Sequence, residues 1–257
     1  MKKYYIILLI LLSNIQQFNA QNTRIKNNND IGWYNYFGTF KISNQIGIHT
    51  EYQFRRNEII NTWQQGLLRI GLNYQINPKL QTRIGYAWIE TYPYGEITIN
   101  GMGKDFTEHR LFQMATLTDK ISILETSHRL MLEQRWVGRY SNSNLNQEDE
   151  YPFLNRFRYM IRLQIPLNHT EIKDQTLYAA IYNEIFIGFG TNVNENIFDQ
   201  NRLGVLLGYR LNKNFRIEAG YLNQIVQLGR EVNNRNVFQY NNGIIVNTQF
   251  NFDLSKK

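Results

Sequence analysis

The chain has 257 residues, a formal net charge of +7, 14% aromatic residues including 17 Tyr, only 4 Pro and no Cys. The missing Cys excludes a disulfide framework, thiol catalysis and thiolate metal sites. A mean hydropathy of −0.47, with no internal apolar run near the ~20 residues of a membrane helix, excludes a helical membrane bundle.

The amino terminus reads as an export signal. Lys2 and Lys3 form a basic start, an apolar stretch runs from Tyr4 to Leu12, and a polar segment ends at Ala20 before Gln21. Phe18 is larger than usual for its place before such a cut. Cleavage there takes the charge from +7 to about +5, which by itself points to neither nucleic acid nor any other acidic partner. The expected division is a signal peptide over 1–20, a polar Asn-rich arm over 21–31 and a β-barrel over 32–257.

Eleven strand candidates follow, each alternating at period two, because a strand sends successive side chains to opposite faces. The spacing predicts strands over 32–42, 46–55, 63–74, 80–90, 107–117, 123–137, 153–165, 177–187, 198–210, 215–227 and 237–252. The seventh is the clearest: Phe157, Tyr159, Ile161, Leu163 and Ile165 lie opposite Arg156, Arg158, Met160, Arg162 and Gln164. In the sixth, Leu130, Leu132 and Trp136 lie opposite Arg129, Glu133 and Arg135. The eighth carries Glu184 but is mixed in phase.

Short links are expected at Ser43-Asn44, Asn77-Pro78, Thr118-Asp119 and Asn212-Lys213-Asn214, and longer polar loops near 91–106, 138–152, 188–197 and 229–236. Short turns at one end and long loops at the other describe an up-and-down antiparallel barrel. Single-chain bacterial barrels have even strand numbers, so about twelve strands (10–12) are expected, the missing one hidden near 21–30 or replaced by an arm in the lumen.

Alternation alone leaves two closed architectures. A soluble periplasmic ligand-binding barrel would turn the aliphatic face inward, and a transmembrane barrel would turn it to lipid. About eight strands already give an interior that side chains can fill, so eleven or twelve with an apolar interior would leave a large dry cavity. Strands of roughly 10–13 residues suit a tilted bilayer crossing, and Trp63, Tyr74, Trp88, Trp136, Tyr159 and Tyr209 fall toward strand ends as girdle residues do. The expectation is a barrel of the bacterial outer membrane in contact with its lipid.

The charged face then points into the lumen. It comprises Arg69, Arg83, Glu108, Arg110, Arg129, Glu133, Arg135, Arg156, Arg158, Arg162, Glu184, Arg202, Arg216 and Glu218. One reading is an interlocked ladder that fills the lumen and fixes register. The other is a positively biased conduit or binding site for a small anionic solute, with Arg156, Arg158 and Arg162 as best candidates beside Arg129 and Arg135. The role expected is passive: a narrow channel, a transport-related barrel or a structural envelope protein. A lipid hydrolase or acyltransferase of the outer leaflet is the alternative. His109 and His128 fall on the aliphatic phase, but Ser122 and Ser127 fall opposite His128, and no G-x-S-x-G or H-E-x-x-H pattern occurs. Gly101-x-Gly103-Lys104 lacks the rest of a phosphate-loop motif and reads as a loop tip. Nothing points to a cofactor or metal, and the oligomeric state stays open.

Several phrases in order carry a family resemblance: Trp33, Glu51-Tyr52-Gln53-Phe54-Arg55, Glu108-His109-Arg110, His128-Arg129 with Glu133-Gln134-Arg135, Arg156-Phe157-Arg158-Tyr159, Asn183-Glu184-Ile185-Phe186, Gln200-Asn201-Arg202 and Gly220-Tyr221. Together they resemble the domain of unknown function 2490 family, uncharacterised outer-membrane β-barrels of Bacteroidetes-type bacteria. Each motif is short; their order is more specific and covers nearly all the mature chain. The resemblance implies fold and location and supplies no activity.

Overall fold

The computed structural model describes residues 24–193 and 196–255. The export signal lies outside the described residues. Eleven strands follow one another without a helix: β1 (Ile25–Lys41), β2 (Ile46–Asn57), β3 (Thr62–Asn77), β4 (Leu80–Thr91), β5 (Phe106–Ile121), β6 (Leu124–Val137), β7 (Phe153–Pro166), β8 (Thr176–Phe189), β9 (Phe198–Asn212), β10 (Phe215–Val232) and β11 (Arg235–Asp253). Each pairs antiparallel with its sequence neighbour, and β1 pairs with β11 to close the barrel.

Eleven strands fall within the expected ten to twelve, and the wholly antiparallel barrel gives way to a mixed one. Up-and-down strands in odd number leave the first and last running the same way, so closure must be parallel. The seam runs in unbroken register from Ile25↔Val237 to Lys41↔Asp253. It draws in most of the polar 21–31 arm, which is strand from Ile25 onward. Side-chain amides tie it: Asn29 Nδ2 donates to Asn241 Oδ1 at 2.8 Å and Asn35 Nδ2 to Asn247 Oδ1 at 2.9 Å. Strands approach so closely here that a Cβ on Gly243 would fall on the Ile31 carbonyl oxygen.

Two link predictions change. Thr118 and Asp119 sit inside β5, paired with Ser127 and Thr126, and the turn is Ser122-Ile123. The hairpin continues past the apolar belt, where polar residues do not interrupt pairing. The expected loop over 229–236 is likewise strand up to a turn at Asn233-Asn234, both in the left-handed region (φ 52° and 56°). That is the backbone of a type I′ hairpin, whose right-handed twist suits its strands. Asn234→Gly should therefore leave the unfolding midpoint unchanged or slightly higher, whereas Asn234→Val should lower it, costing roughly 1–2 kcal/mol of stability; equal midpoints for the two would count against that turn.

Orientation of the faces settles the architecture. Ile70, Leu72, Ile84, Leu111, Leu130, Ile181, Val205, Leu207 and Ile217 point outward and are exposed. Glu51, Arg69, Glu108, Glu133, Arg156, Arg158, Glu184 and Glu218 point inward and are buried. A soluble barrel with its aliphatic face inward is thereby overturned; the apolar belt outside is that of a transmembrane barrel. Polar side chains on the outer face satisfy one another. Gln113 and Gln134 exchange amide bonds at 3.1 and 3.2 Å, and Asn183 and Asn201 do so at 3.1 and 3.0 Å.

Candidate functional site: a charged septum between two basic cavities

The inward face of β5 to β9 brings most of the predicted ions into one network. Glu108 accepts from Arg110 and Arg135, each at 2.5 Å. Arg110 also lies 3.8 Å from Glu133, and Arg156 joins Glu133 at 2.6 Å to Asp199 at 2.5 Å. Asp199 returns to Arg135 at 3.8 Å, so three guanidinium groups and three carboxylates close a neutral ring. Arg158 carries the network on, bonding Glu133 and Glu184 at 2.8 Å each. Glu184 also holds Arg129 at 2.8 Å, with Arg202 at the edge of its reach, 4.0 Å away.

Burial makes these bonds consequential. Glu133 is 0% and Arg156 1% exposed. Charges there are costly alone and tolerable only when forked onto opposite charge. Aromatic rings supply the rest of the coordination: the guanidinium carbons of Arg156, Arg158 and Arg202 lie 5.1, 4.3 and 4.5 Å from the Phe186 ring centre. That explains the mixed phase of β8, whose inward face carries aromatic Tyr178, Tyr182 and Phe186, the last as a platform under three arginines.

Outside this network, Glu51 accepts Arg69 at 2.7 Å and His49 at 3.1 Å. Glu218 binds Arg162 and accepts the Tyr178 hydroxyl at 2.8 Å. Arg83 donates to the Asn73 amide oxygen at 2.5 Å, and Arg216 makes no ion pair among the described residues. The Tyr178 ring lies over Gly208 of β9, where a Cβ would collide with it. Gly208→Val should lower the unfolding midpoint, costing about 1–3 kcal/mol of stability through overpacking. A midpoint equal to wild type would show that the ring is free to move aside.

The network divides the lumen. Toward the short-turn end is a cavity of about 820 Å³, lined by Arg69, Lys79, Arg83, Lys120, Arg129, Arg158, Arg162, Arg202 and Arg216 against Glu51, Asp119, Glu125, Glu184 and Glu218. Toward the long loops is one of about 620 Å³, lined by Arg55, Arg110, Arg135, Arg139, Arg156, Arg202 and Arg230 against Glu108 and Asp199. Arg202 alone lines both among the described residues. The segment 92–105 folds over the second mouth. Gln239 Nε2 bonds the Ile97 carbonyl at 2.7 Å, Arg230 the Thr98 carbonyl at 2.7 Å, and the Tyr94 hydroxyl donates to Gln239 at 2.8 Å. Burial pushes the Tyr94 phenol up.

Four contributors lie outside the predicted charged set. Asp199 is out of phase with Arg202, and a register shift between Phe186 and Ile187 against β9 turns it inward. Glu51 and Arg55 share the polar phase of β2 but were not singled out. Trp33 points into the lumen, 3% exposed, its Nε1 donating to Gln64 at 2.7 Å. The histidines take outer-face partners instead of a serine: His109 Nδ1 is 2.5 Å from the Tyr86 hydroxyl and His128 Nδ1 2.9 Å from the Tyr159 hydroxyl. Ser127 faces the short-turn cavity, so it and His128 lie on opposite sides of the wall.

Comparison with curated proteins finds no match. Among solved structures, a NanC porin in a rhombohedral crystal form is similar at 12% identity and a TM-score of 0.43, over 80% of this chain and 90% of that one. The model of the family described as protein of unknown function (DUF2490) matches residues 31–236. With the motifs that carry the resemblance falling on the lumen-facing strands of this barrel, the chain belongs to the DUF2490 family.

Proposed function

We propose that this protein is a barrel of the bacterial outer membrane that rests closed and serves the passage or reception of a small anionic solute. The observation that carries the reading is the pair of basic cavities that share, among the described residues, only Arg202 across a septum of buried ion pairs. A purely structural barrel needs no such vestibules, and an open pore would not bury Glu133 and Arg156 completely. Cations outnumber acids along both cavity walls, which favours anions over cations at either mouth. The exposed aliphatic belt supports contact with outer-membrane lipid, and the basic-then-apolar start of the sequence, read as an export signal over 1–20, agrees with that compartment. Long loops would then face outward and most short turns the periplasm. The His–Tyr pairs serve as rim contacts, and the reading includes no chemical step.

Planar-bilayer recording of the purified protein tests it. The expected trace stays at baseline for most of the time, and brief openings show a reversal potential favouring anions. A large steady conductance, or cation preference, would reject the reading.

A further inference from the structure

Most lumenal arginines are neutralised by a carboxylate; Arg55 is not. It is 5% exposed and makes no ion pair among the described residues. Amide oxygens hold it in place: Gln53 Oε1 accepts from Nε at 2.9 Å and from Nη2, and Gln65 Oε1 accepts from Nη1. These acceptors orient the guanidinium fork without cancelling its charge. They leave one N–H on each of Nη1 and Nη2 for another partner. The group lines the long-loop cavity.

Arg202 is held in the same manner, with Nε on Gln200 Oε1 at 3.0 Å and its nearest carboxylate 4.0 Å away. Both pack on Trp33, whose ring centre is 3.8 Å from the Arg55 guanidinium carbon and 4.8 Å from that of Arg202. Two like charges thus share one indole, which itself lines the short-turn cavity while both guanidinium groups line the long-loop one. Cation–π contact offsets part of their desolvation, but an unpaired buried cation is still costly. An arrangement that orients such charge and withholds a counter-ion is suited to receive one.

Resting on the reading above that the barrel handles anions, we propose that Arg55 and Arg202, both packed on the Trp33 ring, bind the oxyanion group of a small organic acid or phosphate ester entering from the long-loop mouth. The fork of Arg55 matches two oxygens of a carboxylate or phosphate. The amides of Gln64, Gln65 and Gln200 in the same cavity offer hydrogen bonds to polar groups beside that anion. The cavity of about 620 Å³ admits a solute of ordinary metabolite size.

The test is titration of the full-length protein in detergent micelles at low salt with citrate, with inorganic phosphate, and with choline chloride as control, followed by tryptophan fluorescence and calorimetry. Saturable binding of citrate or phosphate is expected, and which of them binds tells carboxylate from phosphate recognition. Trp33→Phe should abolish the fluorescence change while calorimetric binding persists. Arg55→Gln should weaken binding about tenfold or more and Arg55→Lys less. Arg235→Gln, which removes the same charge from the exposed hairpin at the same end, should have little effect. Heat-modifiable migration reports folding of each variant, and Arg202→Gln carries the test should Arg55→Gln not fold. Absence of anion binding, or equal losses in Arg55→Gln and Arg235→Gln, would overturn the site. Anion-selective openings without Arg55-dependent binding would sink the site and leave the transport reading. Arg55-dependent binding with cation-selective current would do the reverse.

Discussion

Glu133→Ala should lower the stability of the folded barrel by roughly 3–5 kcal/mol, while Glu96→Ala leaves it essentially unchanged. Glu133 reaches three guanidinium groups, as Glu184 does, and it alone of the two belongs to the neutral ring. It accepts Arg156 at 2.6 Å and Arg158 at 2.8 Å, with Arg110 at 3.8 Å, and is 0% exposed. Deleting it leaves Arg158 on Glu184 and Arg156 on Asp199, but removes the one negative charge common to three guanidinium groups. Those groups then repel one another in a place water does not reach. Glu96 lies exposed in the segment over the mouth and has no such company. Urea unfolding in lipid vesicles reads the difference directly. Coincident midpoints for the two variants would mean that the septum relaxes or hydrates once a charge is lost. Glu133→Gln, which keeps a hydrogen-bond acceptor but not the charge, should fall between them.

The reason Glu133 could be placed from sequence is that its partners obey the same arithmetic. Glu133 and Arg156 face each other across β6 and β7, Glu184 and Arg202 across β8 and β9, and each belongs to the phase opposite an aliphatic run. Alternation therefore revealed both the wall and the ions inside it, and strand length with strand number chose which face met lipid. Alternation counts residues, however, and a bulge adds one. Asp199 became the closing member of the neutral ring through such an addition. The odd strand count was visible too, but the preference for even barrels argued against it. The polar run before Ile31 lacked the aliphatic face that marks a strand, and it is held by Asn–Asn bonds to β11 instead. Trp33 and Phe186 were hidden for a related reason. An inward aromatic looks like an error in a polar phase until the guanidinium group above it is known.

Arg202→Ala should join the two cavities and turn a barrel that rests at baseline into one with a steady, anion-preferring conductance. Arg202 is the side chain that both cavities share, wedged against Trp33 at 4.8 Å and Phe186 at 4.5 Å. Its loss differs in kind from that of Glu133. Glu184 keeps Arg129 and Arg158 at 2.8 Å each, so no carboxylate is stranded and the barrel should remain folded. What goes is the volume of the side chain the two cavities share, together with one cation in a lining that stays net positive, so anions should still pass preferentially. Arg216→Ala provides the contrast, since Arg216 lines only the short-turn cavity and makes no ion pair among the described residues. It removes equal charge without touching the septum, and its current should stay at the wild-type baseline. If Arg202→Ala also stays at baseline, the neutral ring of Glu108, Arg110, Glu133, Arg156, Asp199 and Arg135 closes the lumen on its own. Opening would then require one of its carboxylates to let go.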